Sequence, residues 1–425
     1  MTAATVAVIG LLLFAWAVVS GALARHNVTG PLAFTAAGYL LGNGDWGVVA
    51  VDVDTSVIHL VAEATLALVL FSDAARINSQ KLRHDLGLPV RLLAIGLPLS
   101  ILGGLGLASV LFGGLPVGLA LLVGAALAPT DAALSASVIE DERVPLRLRR
   151  ALNVESGLND GIATPVVSVA LAAAIGAVAG GSTESYDIQA ALREIGSGGL
   201  LGAAIGIGGA AALNATARRG WIGASGRYLA AFGLAVTAFA AALAVDGNGF
   251  IAAFVAGLAY GAVVDRGRTD LDRSDELPEL GGELMGLVVW FLFGAALVPL
   301  AIEAADPTMV VYALLSLTVV RMVPVALSLW GSGLDAAGVA FVAWFGPRGL
   351  ASVVFAVLAV EELEGVVDGS DRAVGAIVLT VLSSVVLHGV TARPGGRAYA
   401  RREAEPGRDP VAPRARRRWF HADAR

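Results

Sequence analysis

A short stretch of the chain, residues 155–164, combines two carboxylates, an amide and two hydroxyls inside an otherwise apolar run. At helical spacing, Ser156, Asp160 and Thr164 share one stripe, and Glu155 and Asn159 form the adjacent stripe. Hard cations such as sodium prefer several oxygen ligands, and a carboxylate supplies both a ligand and the neutralising charge. The stretch therefore predicts a face that binds a monovalent cation.

A second source of oxygen ligands is an interrupted apolar run at residues 115–138, which contains Pro129, Thr130 and Asp131. Proline and a charge in such a run break the helix, and the break releases backbone carbonyls from helical hydrogen bonding. Those carbonyls and the Thr130 hydroxyl could complete an oxygen cage around a cation. A tolerated kink without a ligand role is the alternative interpretation.

A matching interruption lies in the run 336–360, where residues 346–349 read Gly-Pro-Arg-Gly. Arg348 would sit among the ends of half-helices, where a fixed positive charge can offset carbonyl dipoles and the charge of Asp131. The prolines of the two interruptions lie at nearly the same distance from the starts of two halves of the chain. This spacing predicts two repeats of inverted topology, each with one discontinuous helix.

Arg321 is the other cation placed deep in an apolar run. An unpaired arginine there would carry a large desolvation penalty, and Glu155 is the best available partner. We interpret the pair as a structural ion bridge, which leaves Asp160 as the free carboxylate. A buried carboxylate without a permanent partner can hold a proton near neutral pH and exchange it for a cation.

Six further ionisable residues have less specific surroundings: Glu63, Asp73, Glu279, Glu283, His59 and His388. Glu63 either lines the outer entrance or pairs with a neighbouring helix, and Glu283 is a second candidate for an entrance residue. Asp73, Glu279 and Glu283 lie near cytoplasmic helix ends and could draw cations inward, although solvated helix ends are the preferred interpretation. The two histidines are interpreted as packed or interfacial, in preference to pH sensors.

The elements that position these residues must be membrane helices. Of 425 residues, 56% are hydrophobic and 15% are charged, and the mean hydropathy is +0.76. Apolar runs long enough to cross about 30 Å of hydrocarbon recur along nearly the whole length. The chain has no cysteine and five scattered histidines, and it lacks a His-Glu-x-x-His motif, which argues against a membrane-embedded enzyme.

The fold class that follows is an all-α polytopic membrane protein with two inverted repeats and crossed discontinuous helices. Repeat one covers about 4–176, a linker helix about 188–214 and repeat two about 224–392. Residues 393–425 are expected to form a basic cytoplasmic tail, disordered or lying on a surface. The pattern predicts about thirteen membrane helices, centred near Phe14, Ala36, Leu66, Pro98, Val123, Ile162, Leu201, Ala235, Ala256, Val289, Leu317, Gly349 and Val381.

The loops between these helices alternate in charge. Basic loops fall at 76–83, 143–150, 218–227 and after 393, and acidic loops at 45–54, 184–187, 303–306 and 361–371. Short loops rich in Lys and Arg lie in the cytoplasm. The expected orientation therefore has the N-terminus outside and the C-terminus in the cytoplasm.

At these residues the chain resembles the cation:proton antiporter superfamily, specifically the NhaP-type sodium/proton antiporters related to animal sodium/proton exchangers. Four motifs carry the resemblance: Thr130-Asp131, the segment from Glu155 to Asp160, Arg321 and residues 346–349. The likeness covers the chain to about residue 390. One departure is Ala132, since many members have proline directly after the Thr-Asp pair.

The resemblance implies that Asp160 binds the ion, that Thr130 and Ser156 contribute ligands and that Glu155 bridges to Arg321. The Asn159-Asp160 pair implies electroneutral exchange, whereas relatives with two aspartates there are electrogenic. It also implies a homodimer in the plasma or inner membrane, with alternating access by an elevator-like movement of a six-helix core.

The expected function is exchange of a monovalent cation for protons, with sodium preferred over potassium or lithium, and roles in pH homeostasis and sodium tolerance. Neither a cofactor nor a nucleic-acid partner is expected; the ions themselves are the transported substrates. The alternative function is transport of another substrate class, an organic anion, on a related inverted-repeat fold. Its mark would be a cationic or neutral site, and the Asp160 cluster argues the opposite.

Overall fold

The computed structural model describes residues 3–42, 47, 49, 56–77, 87–139, 141–178, 188–265, 271, 274–363 and 365–403. All regular secondary structure in these ranges is helical. By length and composition, nine of the helices in the described ranges can cross a membrane, and shorter apolar helices accompany them. Backbone groups in hydrocarbon have no water to bond, so helices that satisfy their own hydrogen bonds are the expected solution.

The helices pack into two bundles. The first bundle consists of α1 (Ala3–Arg25), α2 (Gly30–Gly42), α3 (Ser56–Arg76), α8 (Ile188–Arg218), α9 (Ala224–Leu243), α10 (Gly249–Val263) and α11 (Glu276–Glu303). The second consists of α4 (Gly87–Leu111), α5 (Val117–Ala126), α6 (Ala136–Ile139), α7 (Leu146–Val178), α12 (Pro307–Ser328), α13 (Ala336–Trp344), α14 (Leu350–Leu363) and α15 (Ser370–Glu403). Each bundle draws helices from both halves of the chain, as inverted repeats require.

Both predicted interruptions are present in the second bundle. Helix α5 ends at Ala126 and helix α13 ends at Trp344, and each is followed by non-helical backbone at 127–131 and 345–349. A π-turn at Ser316–Val320 also widens α12 beside them. Such turns release carbonyls from regular bonding. The two breaks therefore bring unbonded backbone groups and charged side chains to the middle of this bundle.

The two ends of the molecule differ in charge. One end carries arginines at helix termini and the other carries carboxylates; we call them the basic end (Arg25, Arg76, Arg147, Arg218 and Arg393) and the acidic end (Glu303, Asp306, Glu361 and Asp371). The predicted acidic loop 184–187 lies outside the described residues, as do almost all of 45–54 and residues 78–83 of the first predicted basic loop.

The basic tail differs from expectation in its first part. Helix α15 continues to Glu403, so residues 393–403 are helical and packed. The Tyr399 ring lies against Phe341, with ring centroids 4.5 Å apart, and Arg393 donates to the backbone oxygen of Arg25 at 2.9 Å. An aromatic ring and small residues on one face give this basic segment enough apolar contact to extend the last helix. Residues 404–425 lie outside the described part.

Candidate functional site

The break after α5 is sealed by groups from the second half of the chain. The Ser352 hydroxyl donates to the Ala126 carbonyl at 2.6 Å, and Arg348 donates to the Ala128 carbonyl at 2.9 Å. The Ala126 carbonyl belongs to the last turn of a half-helix and the Ala128 carbonyl lies two residues beyond its end, where the macrodipole is negative. A hydroxyl and a guanidinium therefore satisfy groups that the break would otherwise leave unbonded.

Arg348 is completely buried, with 0% of its surface exposed. Its second amino group donates to the carbonyl of Ser316, in the π-turn of α12, at 3.3 Å. Among the described residues no carboxylate forms an ion pair with Arg348. The sequence predicted that Arg348 would offset both carbonyl dipoles and the charge of Asp131; the structure places its guanidinium on carbonyls.

Asp131 lies where the two breaks cross. Its backbone nitrogen donates to the Pro347 carbonyl at 2.9 Å, and its carboxylate accepts from the nitrogens of Ala133 at 2.7 Å and Leu350 at 2.9 Å. A Cβ atom at Gly349 would collide with this carboxylate. The Asp131 charge is thus held by backbone donors at the start of α14, and glycine at 349 is what lets the carboxylate approach.

Glu155 and Arg321 meet in a bidentate contact in the bundle interior. The two amino nitrogens of Arg321 lie 2.6 and 2.9 Å from the two carboxylate oxygens of Glu155. Both side chains are only 2% exposed. Gly346 leaves room for the guanidinium, because a Cβ there would collide with it. Two opposite charges with this geometry neutralise each other and require no ion.

Three polar side chains of the predicted site form a compact group. The Thr130 hydroxyl lies 3.1 Å from the Ser156 hydroxyl and accepts from the Asn159 amide nitrogen at 2.7 Å. All three residues are buried, and the Asn159 amide oxygen has no hydrogen-bond partner among the described residues. Helix α7 therefore holds the first break through Thr130. The side-chain oxygens at this point keep lone pairs that these hydrogen bonds do not use.

Asp160 lies on α7 directly after Asn159, and it is partly exposed. Among the described residues, none forms an ion pair or hydrogen bond with its carboxylate. Asp131 and Asp73 are the carboxylates close enough to repel its charge. Thr164 donates to the backbone oxygen of Asp160 at 2.8 Å. Its hydroxyl is therefore engaged within its own helix.

Asp73 is closer to this group than the sequence suggested. A Cβ atom at Gly157 would lie 3.7 Å from that of Asp73, so α3 of the first bundle faces α7 one turn before Asp160. From sequence, Asp73 was interpreted as a solvated helix end, beside Glu279 and Glu283. An isolated aspartate three residues before Arg76 was the only signal, and sequence cannot show which helix α3 packs against.

The two predicted entrance residues lie at opposite ends. Glu63 lines a cavity of about 180 Å³ toward the acidic end, together with Glu194, Glu362 and Thr164. Thr164 lies one helical turn from Asp160, so this cavity ends close to the site. Glu283 is exposed on α11 near the basic end.

The two histidines are both packed. The His59 Nδ1 atom lies 2.6 Å from a carboxylate oxygen of Glu361, which joins α3 to α14 at the acidic end. His388 is buried on α15 and contacts the second break. Neither lies beside Asp160 among the described contacts.

The arrangement separates fixed charges from a free one. Glu155 is neutralised by Arg321, Asp131 is stabilised by backbone donors, and Arg348 is stabilised by backbone carbonyls. Asp160 has no partner for its carboxylate among the described residues, and it lies one helical turn from the Ser156 hydroxyl. An unpartnered carboxylate inside a membrane protein is functional by default, and this one can bind either a proton or a cation.

Known proteins resemble the chain along its whole membrane region. The family of sodium/hydrogen exchangers, transmembrane, matches residues 8–396. The curated Na(+)/H(+) antiporter ApNhaP of Aphanothece halophytica is 33% identical over 153 residues, which are 34% of this chain and 28% of that relative. The aligned part therefore spans less than a third of the relative's length.

Solved structures share the fold. The sodium proton antiporter MjNhaP1 from Methanocaldococcus jannaschii at pH 8 superposes with a TM-score of 0.76 at 20% identity, covering 93% of this chain and 98% of that one. An electron-microscopy structure of MjNhaP1 gives 0.74 at 18% identity, covering 96% and 100%. These similarities confirm the predicted all-α membrane fold with inverted repeats. Since the family match covers nearly the whole chain, this protein belongs to the sodium/hydrogen exchanger family, whose members are secondary transporters and not enzymes.

Proposed function

We propose that the chain exchanges a monovalent cation for a proton at Asp160, with sodium as the first candidate and potassium and lithium as the others. The observation that supports the proposal is that the Asp160 carboxylate has no partner among the described residues. Asp160 lies one helical turn beyond Ser156, whose hydroxyl contacts the Thr130 hydroxyl. Proton and cation would compete for this carboxylate, with Thr130 and Ser156 as oxygen ligands. Asn159 would orient Thr130 through its amide.

Charge counting supports one-for-one exchange without net charge movement. Glu155 is neutralised by Arg321, and the charge of Asp131 is stabilised by backbone donors, so Asp160 is the carboxylate we assign to exchange. One monovalent cation then replaces one proton, and the loaded site has the same charge in both crossings. A charge moved alone would feel about 2.3 kcal/mol per 100 mV of membrane potential, and these contributions cancel over a complete cycle.

The position of the site suggests how access alternates. Asp160 lies on the second bundle and Asp73 on the first, so a shift of one bundle against the other would change which end reaches the carboxylate. The cavity beside Glu63 and Thr164 would then be the path from the acidic end. We further propose that the basic end is cytoplasmic in the cell membrane and that the protein is a homodimer.

The organic-anion alternative has less support. Its binding site would need a free cation or neutral donors, and the two buried arginines of the second bundle are already engaged. Arg321 bonds Glu155, and Arg348 bonds three backbone carbonyls. No observation favours this alternative over cation exchange.

The test is transport in proteoliposomes with an imposed pH gradient and sodium, potassium or lithium added in turn. We expect cation-dependent proton movement that Asp160→Asn abolishes and that the surface variant Asp141→Asn retains. Clamping the membrane potential with valinomycin should leave the equilibrium cation ratio unchanged, while a pH gradient shifts it. Full activity of Asp160→Asn would overturn the site, and a ratio that follows voltage would overturn one-for-one exchange.

A further inference from the structure

Residues on one face of α15 contact the second break, and the proposed exchange chemistry gives these residues no role. Ser384 accepts a hydrogen bond from the backbone nitrogen of Arg348 at 2.7 Å, and its hydroxyl lies 3.1 Å from the Nδ1 atom of His388. The Nε2 atom of His388 lies 3.0 Å from the carbonyl oxygen of Trp344, the last residue of α13. One chain of contacts thus joins Arg348, Ser384, His388 and Trp344.

Both ring nitrogens of His388 face oxygen atoms. Nδ1 lies 3.1 Å from the Ser384 hydroxyl and 3.0 Å from the Ser384 carbonyl, and Nε2 lies 3.0 Å from the Trp344 carbonyl. The Ser384 hydroxyl accepts from Arg348, so its own proton is available to Nδ1, whereas the Trp344 carbonyl can only accept. The neutral tautomer with its proton on Nε2 therefore fits these contacts best, and it joins α15 to the end of α13.

Three further contacts hold Trp344 and Phe345 against the same face of α15. The Trp344 indole nitrogen donates to the Thr391 hydroxyl at 3.0 Å, and the indole lies over the His388 ring with centroids 5.1 Å apart. Gly395 lets the Phe345 ring lie on the helix, since a Cβ there would come within 2.7 Å of it. We call Ser384, His388 and Thr391 the α15 clamp.

The first break is held in a similar way by α7. There Ser156 and Asn159 of α7 bond Thr130, and the same helix carries Asp160. Residues 373–400 of α15 contain no aspartate or glutamate. The α15 clamp therefore holds a break without offering a charge to a cation.

From this geometry we propose that the α15 clamp consists of positioning residues for cation exchange. By fixing Trp344 and Arg348 it keeps the Arg348 guanidinium on the carbonyls of the first break and the Leu350 nitrogen on Asp131, so that the Thr130 end of the first break keeps its shape around the cation. The proposal rests on the proposed function, because its main readout is the affinity of the Asp160 site.

The experiment compares His388→Phe, His388→Gln and the control Thr380→Val in the full chain in proteoliposomes. Thr380 is buried on the same helix, and its hydroxyl bonds only within its own turn, to Ala376. We expect His388→Phe to raise the sodium concentration for half-maximal exchange about tenfold, the effect of one lost buried hydrogen bond, with a smaller effect on maximal rate. Thr380→Val should stay close to the unchanged protein.

His388→Gln distinguishes positioning from titration. A glutamine amide can donate to Trp344 and accept from Ser384, so this variant should recover most of the sodium affinity and keep the pH profile of the unchanged protein. A displaced pH profile in His388→Gln would overturn the proposal, since it would make His388 a titrating group. Equal sodium affinity in His388→Phe and Thr380→Val would also overturn it.

Deuterium exchange of residues 344–350 provides a readout that does not depend on transport. Faster exchange in His388→Phe, but not in Thr380→Val, supports the clamp, and equal rates overturn it. If the unchanged protein moves no alkali cation, the proposed function fails while this measurement still decides the clamp. If His388→Phe does not fold, Thr391→Val replaces it, with an expected loss of sodium affinity of about threefold.

Discussion

The two breaks of the second bundle have the same architecture and different chemistry. After each break, a long helix reaches back and bonds it: α7 through Ser156 and Asn159, α15 through Ser384 and His388. Helix α7 carries Glu155 and Asp160 beside its break, whereas residues 373–400 of α15 contain no aspartate or glutamate. The fold thus supplies two similar supports, and the residue types on α7 make that support the proposed site of exchange.

The second break supplies the fixed charge that the first one needs. Arg348 is committed to carbonyls of the first break, and the nitrogen of Leu350 is committed to Asp131. Each half of the chain thus satisfies the groups that the other half leaves open. Asp160 takes no part in these hydrogen bonds between the two halves. We therefore propose it as the group that can change partners.

The largest expected effect is a difference in exchange between variants of α7, which supports the first break, and variants of α15, which supports the second. Asp160→Asn should reduce cation-dependent proton movement below detection, because an amide cannot exchange a proton for a cation. Ser384→Ala, at the corresponding support of the second break, should weaken sodium affinity by about tenfold or less while exchange continues. The measurement is initial exchange rate against sodium concentration in proteoliposomes. Abolished exchange in Ser384→Ala at saturating sodium would show that the two supports are not divided in this way.

The next effect concerns stability and not exchange. Removing either partner of the Glu155–Arg321 pair leaves a buried charge, which typically costs about 3–5 kcal/mol. Glu155→Gln and Arg321→Gln should each lower the melting temperature more than Asp160→Asn does. The double variant should be more stable than the sum of the single losses predicts, since neither charge is then left alone. Additive losses in thermal denaturation would contradict the pairing.

The smallest expected effect on stability concerns Asp306, a carboxylate with hydrogen-bond partners, in contrast to the unpartnered Asp160. The Thr308 hydroxyl lowers the pKa of Asp306, with the Met309 nitrogen and Arg372 acting in the same direction. A lowered pKa stabilises the fold above the unfolded value of about 4, and this contribution is lost as the pH falls through the folded value.

Because Asp306 and Arg372 are both about one-third exposed or more, we expect Asp306→Asn to lose less than about 1 kcal/mol near neutral pH and to retain exchange. Its melting temperature should converge with that of the unchanged protein as the pH falls below about 4. A constant difference across the acid range would mean that the carboxylate charge contributes nothing.

The sequence predicted the site best where burial allows few solutions. Arg321 and Glu155 both lie in apolar runs, so an ion pair between them was the arrangement with the smallest desolvation penalty. Prolines beside charged residues indicated both breaks. The partners of Arg348 and the proximity of Asp73 depend on which helices touch, and no local pattern encodes that. The helical start of the tail was missed because one tyrosine and small residues sufficed to pack a segment dominated by arginine.

His388 shows a different limit of sequence interpretation. Sequence favoured a packed histidine, which describes its burial and not its contacts. Its partners Trp344 and Ser384 lie 44 and 4 residues away, and the first of these becomes a neighbour only through the crossing of the breaks.

We propose that Asp160 of the first repeat is the group that exchanges a proton for a cation. Proton release on addition of sodium to the purified protein in weakly buffered solution measures this exchange. We expect one proton to leave for each sodium ion bound, Ser384→Ala to keep this ratio at higher sodium, and Asp160→Asn to release none. Undiminished proton release from Asp160→Asn would show that another group holds the exchanged proton.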